Sequence, residues 1–146
     1  MTEPLRLDLV VASPPNHTFE VWTKRIDVWW PRDHTATGKP GARVVLERQV
    51  GGRIYEVAPD GSEHEWGEVT AWEPPRRLAY LWHLRTDRAS ATDVEIRFVP
   101  DAAGTRVEIE HVGWDRLGDA ADAWRERNLG GWTTLLPHFV AAVTTP

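Results

Sequence analysis

Histidines and acidic residues are the side chains of this sequence that could do chemistry, because it contains no cysteine. That excludes thiol catalysis, disulfides and cysteine zinc sites. Ser13, Ser62 and Ser90 stand in turn sequences, where serine usually caps or closes a turn. The sequence has no His-Glu-x-x-His zinc motif, Gly-x-Ser-x-Gly elbow, phosphate loop or dinucleotide glycine fingerprint. Its six histidines are dispersed, so we expect no metal and no cofactor.

His111 is the histidine of greatest chemical interest. It alternates with Val107 and Ile109 in a predicted strand, so its side chain should point inward. A lone inward histidine is more often a hydrogen-bonded core residue, but beside a cavity it could orient a ligand or exchange a proton near neutral pH. His83 has the opposite parity to Trp82, so we expect it to face outward and discount it.

Two acids and one amide complete the candidate polar set. Glu56 and Glu68 lie in the middle of predicted strands near aromatic residues, and a solvated strand face is the simplest interpretation. An inward carboxylate would need a partner such as Arg53, His111 or Asn128. Asn128 itself falls on the apolar face of the final helix, where its amide needs a hydrogen bond, either internal or from a ligand.

Nine tryptophans are the unusual feature of the composition. A core of this size can be built from leucine, isoleucine and valine, and each indole adds an N–H group that prefers a partner. Some of these rings can be ordinary core residues or half-exposed ones. Nine together favour a cavity that several of them line.

The elements that must position these side chains can be predicted from hydrophobic periodicity. A strand at 5–11 precedes a helical region with Phe19, Trp22 and Ile26 on one face, which ends at Trp30-Pro31. Turn residues then separate strands at 43–49, 53–58, 64–72, 77–85, 93–99 and 105–112. The short connections favour an antiparallel meander.

A long amphipathic helix is predicted from about Gly118 to the C-terminus, as the cover of the sheet's apolar face. Gly130 and Gly131 cost about 1 kcal/mol each inside a helix, and Pro137 should kink it. Two interpretations stay open for this segment. The helix packs tightly against the sheet, or it lets something approach closely or bends around it.

The length and net charge of the chain exclude some classes of function. With 146 residues, a net charge of −5 and scattered basic residues, we expect one domain spanning 1–146 that does not bind nucleic acid. The first residues do not read as a secretory signal. The uncharged stretch 128–146 is too short and too polar for a membrane span, so we expect a cytoplasmic protein.

Five segments together resemble one family. They are GGRIYEV at 51–57, WGEVTAWEPPRRLAYLW at 66–82, GTRVEIEHVGW at 104–114, GGWTTLL at 130–136 and FEVWTKRIDVWWP at 19–31. In this order they resemble the family named after the activator of heat-shock protein 90 ATPase, within the START-like (SRPBCC) superfamily. The resemblance implies an α+β helix-grip fold. In it, a curved antiparallel sheet of six or seven strands wraps a long C-terminal helix, with two short helices after the first strand and a cavity between.

The function implied by this resemblance is the binding of a small hydrophobic molecule that is lipid-like, aromatic or polyketide-like. Chaperone activation is not expected, since chaperone activators carry a further N-terminal domain. The predicted cavity lining combines aromatic and apolar residues with two polar groups that would orient the ligand: Trp29, Trp30, Tyr80, Trp82, His111, Asn128, Trp132, Leu136 and Phe139.

Two alternatives stay open for the function. One is a cyclase or hydrolase that uses His111 and an inward glutamate as acid and base. The other is a protein-interaction module with a stress or co-chaperone role, which would show an exposed aromatic patch and a filled interior. The sequence also leaves open a homodimer formed through a sheet edge.

Overall fold

A computed structural model describes residues 2–144. In chain order, its main elements are β1 (Leu5–Val11), α1 (Pro15–Thr23), α2 (Ile26–Trp29), β2 (Arg43–Leu46), β3 (Arg53–Val57), β4 (Glu63–Glu73), β5 (Arg77–Trp82), β6 (Thr92–Asp101), β7 (Gly104–Val112) and α3 (Ala121–Thr144). Short 3₁₀ turns occupy Arg32–His34, Arg88–Ser90 and Trp114–Ala120.

The seven described strands form one antiparallel sheet in the order β1-β7-β6-β5-β4-β3-β2. Strands β2 to β7 are a meander, as predicted from their short connections. β1 crosses to the far edge and pairs with β7, with Leu7 opposite Ile109. The sheet curls around α3, and the α+β helix-grip prediction is therefore confirmed.

Strand ends differ from the predictions where the backbone leaves the extended region. β5 stops at Trp82, and Arg85, expected to end that strand, has a φ of 63°. β2 stops at Leu46. After it, Gly51 and Gly52 pair through their backbones with Val69 of β4, at 2.8 Å for each hydrogen bond. A Cβ at Gly52 would lie 2.5 Å from the carbonyl oxygen of Glu47, so only glycine fits there.

The helical region after β1 buries the predicted face. Pro15 begins α1 as its first residue, where its missing N–H costs nothing. Phe19, Trp22 and Ile26 are all buried. The chain then becomes extended at Trp30 before Pro31, as expected for a residue that precedes proline.

The space between α3 and the sheet is filled by aromatic rings. Trp22 lies at the centre, with its ring centroid 5.1 Å from Trp29, 4.7 Å from Phe139 and 6.1 Å from Trp132. Phe98 of β6 closes the group at 6.5 Å from Trp22. Several of the nine tryptophans are thus core residues.

Helix α3 begins later than predicted and continues through its proline. Gly118 has the non-helical angles φ 61° and ψ −133°, so the α-helix starts at Ala121 and runs to Thr144 with Pro137 inside it. The face that meets the sheet buries Trp132, Leu135, Phe139 and Val143.

Candidate functional site

A cleft of about 400 Å³ opens between the N-terminal half of α3, the end of β5 with the loop after it, and the 3₁₀ turn Arg32–His34. This volume falls within the range of roughly 300–1,000 Å³ that small-molecule sites occupy. The cleft is lined by Trp30, Asp33, His34, Trp82, Leu84, Arg85, Trp124, Arg127, Asn128, Gly130, Gly131, Trp132, Thr134 and Leu135.

Four indole rings line the cleft. Trp30 and Trp132 are almost completely buried, whereas Trp82 and Trp124 are half-buried. The ring centroids of Trp30 and Trp82 lie 5.8 Å apart. The guanidinium of Arg127 lies over Trp124, 4.8 Å from the ring centroid. Flat π faces of this kind suit a planar ligand.

Bare helix backbone forms part of the same wall. A Cβ added at Gly130 or Gly131 would meet no atom within 4 Å. Tight packing against the sheet, one of the two interpretations of this pair, is therefore wrong. The glycines face the open space of the cleft, and their missing side chains help to keep it open.

Asp33 and His34 form a hydrogen-bonded pair at the edge of the cleft. Nδ1 of His34 lies 2.9 Å from Oδ1 of Asp33. The hydrogen bond with His34 lowers the pKa of Asp33, which keeps this carboxyl ionised at neutral pH. An ionised carboxylate only accepts hydrogen bonds, so Nδ1 must carry the hydrogen and the neutral ring has its free lone pair on Nε2.

The backbone around this pair is held from two directions. The indole Nε1 of Trp30 donates to the carbonyl of His34 at 3.1 Å. Arg85, in the loop after β5, donates from its guanidinium to the carbonyl of Thr35 and, at 3.4 Å, to that of Asp33. The left-handed backbone of Arg85 is an uncommon conformation for a residue other than glycine.

Glu56 holds the next two residues of the same segment, and this corrects the expectation of a solvated side chain. It is completely buried. Its carboxylate accepts hydrogen bonds from the backbone N–H groups of Ala36 and Thr37, from the hydroxyl of Thr37 at 2.8 Å and from the indole of Trp66 at 2.7 Å. Burial raises its pKa, but these hydrogen bonds outweigh that effect and the pKa lies below its usual value. None of its expected partners contacts it, because the segment after α2 lies over this end of β3.

Glu68 and His83 take part in a different cluster. Glu68 is partly exposed and pairs with Arg88 at 2.7 Å, in agreement with a solvated strand face. His83 is buried, contrary to the prediction. The strand ends before it, so strand parity no longer applies, and its Nε2 lies 3.0 Å from Glu65.

His111 points inward as predicted, but it lies behind the cleft wall. Its Nδ1 accepts a hydrogen bond from Nε1 of Trp132 at 3.1 Å. Nε2 therefore carries the hydrogen and lies 2.7 Å from the hydroxyl of Thr92, which donates to the carbonyl of Trp82 at 3.2 Å. Burial lowers the pKa of His111 to about 3. The ring is a neutral, fully bonded link between α3 and the sheet.

The structure places four of the nine predicted lining residues on the cleft wall: Trp30, Trp82, Asn128 and Trp132. The amide of Asn128 is satisfied within the helix, since its Nδ2 donates to the carbonyl of Trp124 at 2.8 Å. The other five lie away from the wall. Leu136 is half-buried against the core, because the 100° rotation per residue of a helix turns its side chain away from that of Leu135. The remaining four are buried in the core: Trp29, Tyr80, His111 and Phe139.

Sequence reasoning missed the charged residues of the cleft, which are Asp33, His34, Arg85 and Arg127. Asp33 and His34 lie between the predicted helical region and the first strand that follows it. Arg85 lies at a predicted strand end, and Arg127 lies outside the apolar face predicted for the final helix. The only signal in the sequence is the Asp33-His34 pair, one residue after Trp29-Trp30-Pro31.

Comparison with known proteins identifies the family. The family described as activator of Hsp90 ATPase homolog 1-like protein matches residues 12–144. The chain belongs to this family. No functionally curated protein matches it.

Solved structures extend the comparison over nearly the whole chain. One is Txn09, an anthrahydroquino-gamma-pyrone synthase complexed with SUM, which is 37% identical over 97% of both chains with a TM-score of 0.69. Protein CV1439 from Chromobacterium violaceum is 21% identical over 99% of this chain and 100% of its own, with a TM-score of 0.70. DynU16, from the dynemicin biosynthetic locus, is 17% identical over 99% of this chain and 48% of its own, with a TM-score of 0.70. The last two show the fold alone.

No helix within 2–144 is long and apolar enough to cross a membrane. No group of three or more histidine, aspartate or glutamate side chains in that range is arranged to hold a metal ion.

Proposed function

We propose that the cleft binds a planar, polycyclic aromatic molecule of the polyketide type. The observation that carries this proposal is the arrangement of four indoles around a space of about 400 Å³ with bare helix backbone on one side. Aromatic rings stack on indole faces with centroid separations of roughly 4.5–7 Å. The similarity over 97% of both chains to Txn09, which is named an anthrahydroquino-gamma-pyrone synthase, supports the same ligand class.

An aromatic ligand fits this cleft better than a lipid does. A long acyl chain needs an enclosed apolar tunnel, but the interior next to the cleft is filled by Trp22, Trp29 and Phe139. The edge of the cleft instead carries Asp33, His34, Arg85 and Arg127. A flat ring system with hydroxyl and carbonyl groups at its edge would satisfy both the stacking faces and these polar groups.

A second candidate function is a ring-closing enzyme that acts on the same ligand. The 37% identity to a synthase over nearly the whole chain favours it, as does the Asp33–His34 pair at the cleft. The protein-interaction module has less support, because the large hydrophobic residues exposed within 2–144 are four separate valines, Val10, Val28, Val50 and Val99. The cytoplasmic location, the single domain, the homodimer and the stress-related role stay predictions.

Tryptophan fluorescence tests the binding proposal directly. 2-Hydroxyanthraquinone is a suitable probe because it has three fused rings and a phenol without an internal hydrogen bond. We expect saturable quenching by this probe in the wild-type protein. Trp124→Ala should weaken binding by up to about tenfold, since one stacking ring contributes roughly 0.5–1.5 kcal/mol beyond its buried area.

Trp72→Ala is the matched control for the loss of one indole. Trp72 is also half-buried, but it contacts Phe19 at 5.1 Å and does not line the cleft. The Trp72→Ala variant should bind the probe as the wild type does. Equal weakening in both variants, or non-saturable quenching in the wild type, would contradict the proposal.

A further inference from the structure

We propose that His34, oriented by Asp33, is the base that removes the proton from a phenolic hydroxyl of the ligand in the cleft. This inference rests on the proposed function, because it needs a phenol bound against the tryptophans. Three features of the structure support it: the tautomer of His34, the fixed backbone that carries it and the cationic groups that surround the cleft edge.

The tautomer of His34 leaves a proton acceptor free. Asp33 binds the Nδ1 side of the ring at 2.9 Å, so the lone pair of the neutral imidazole is on Nε2. Within 2–144, Nε2 of His34 has no hydrogen-bond partner, and the side chain is 21% exposed. Since His34 lines the cleft, this nitrogen can reach a ligand there. His111 has its lone pair occupied by Trp132 and cannot do the same.

The segment that carries the pair is fixed before any ligand arrives. Trp30 and Arg85 bind its carbonyl groups, and Glu56 binds the N–H groups of Ala36 and Thr37. A base held by its surroundings in one position loses little conformational freedom when the substrate binds. This also accounts for the burial of Glu56, whose hydrogen bonds hold the chain just after the Asp-His pair.

The charges around His34 favour an anionic oxygen in the cleft. Arg127 on α3 and Arg85 on the loop after β5 both line it. Within 2–144, Arg127 contacts the ring of Trp124 and Arg85 donates to backbone carbonyls, and neither forms an ion pair with an acid. His138, also on α3, acts electrostatically on Asp33. Asp33 is the one acid that lines the cleft. The guanidinium groups can therefore stabilise a phenolate as it forms.

The chemistry of this step balances without a further reagent. The phenolic O–H bond breaks, its proton forms a bond to Nε2 of His34, and the electron pair stays on oxygen. In a ring closure, that oxygen bonds to a ketone carbon of the same molecule, and the carbonyl π pair moves to the carbonyl oxygen. This oxygen takes the proton back from His34 and yields a cyclic hemiketal. The hemiketal hydroxyl then leaves as water with a proton from the adjacent carbon. The electron pair of that C–H bond becomes the C=C bond of an unsaturated oxygen ring.

Visible absorption of bound 2-hydroxyanthraquinone tests the inference, because its phenol and phenolate forms differ in colour. In the wild-type protein, we expect the acid dissociation constant of the bound phenol to be at least about tenfold higher than that of the free probe. His34→Gln should abolish most of this increase while it keeps the probe bound. Asp33→Asn should give an intermediate value and a shifted pH profile, as expected for a positioning residue.

His64→Gln is the matched control. His64 lies on β4, bonded to Ser62 at 3.2 Å, and does not line the cleft, so this variant should titrate like the wild type. If the probe binds the wild type and His34→Gln equally and ionises at the same pH in both, the inference is wrong and the binding proposal stands. If tryptophan fluorescence shows no binding to the wild type, both are overturned.

Discussion

Replacing Gly131 with alanine should make the protein more stable and a weaker binder at the same time. Glycine costs about 1 kcal/mol relative to alanine in a helix interior. A Cβ at this position meets no atom within 4 Å, so no steric cost offsets that gain. We expect the free energy of unfolding to rise by about 1 kcal/mol and the melting temperature by roughly 2–5 °C.

The same methyl group enters the cleft, because Gly131 lines it. A ligand that lies against the helix backbone must then shift or lose contact. The cost of one inserted methyl group in a well-packed site is about 1–3 kcal/mol, which corresponds to binding that is about 5- to 150-fold weaker. Urea unfolding measures the first effect, and fluorescence titration with 2-hydroxyanthraquinone measures the second.

Ala123→Gly is the control in the same helix. Ala123 is exposed and does not line the cleft, so this variant should lose about 1 kcal/mol of stability and keep its affinity. A Gly131→Ala protein that is more stable but binds the probe unchanged would show that the ligand does not lie on the glycine backbone. A Gly131→Ala protein that is less stable would show that the space beside Gly131 is not open.

Three further predictions concern the buried polar groups. The folded protein keeps His111 neutral down to about pH 3, whereas the unfolded chain protonates it near pH 6.5. The free energy of unfolding should therefore be unaffected by His111 above pH 6.5. Below that pH it should fall by up to about 1.4 kcal/mol per pH unit. NMR titration of the ring checks this, and a midpoint near pH 6.5 would contradict it. Trp132→Phe should cost about 1–3 kcal/mol in urea unfolding, because Nδ1 of His111 loses its donor; no loss would show that the hydrogen bond is dispensable. Glu56→Gln should cost at least about 2 kcal/mol at pH 7, since an amide cannot accept all the hydrogen bonds from Thr37, Ala36 and the indole. That cost should shrink as the pH falls below the ordinary glutamate pKa of about 4.3, because the unfolded chain then takes up a proton that the folded carboxylate, with its lowered pKa, resists. An equal cost at pH 7 and pH 3 would contradict the ionic role.

Most of the sheet and its inward side chains follow from the period-2 pattern alone. Val107, Ile109 and His111 are all buried, as the alternation in β7 predicts, because side chains on a strand alternate between two faces whatever the rest of the fold does. The burial of Phe19 and Trp22 follows in the same way from helical spacing. The ordered motifs also identified the family and, with it, the position of α3 in the curved sheet.

Hydrophobic periodicity did not predict side-chain contacts where they involve segments outside regular secondary structure. His83 and Arg85 come just after the end of β5, where the backbone of Arg85 is left-handed. The backbone N–H partners of Glu56 come from a loop 19 and 20 residues away. No local pattern encodes such contacts, because they arise only when the segment after α2 packs over β3.

The type of each side chain and its inward or outward direction within regular elements were set by the sequence itself. It supplied nine tryptophans, a pair of helix glycines and an Asp-His pair. Tertiary packing then separated the tryptophans into two groups, since Trp22 and Trp29 fill the space under α3 while Trp82 and Trp124 remain at its open end. The boundary between core and cleft depends on how far the rings of the core extend along the helix, and that is a property of three-dimensional packing.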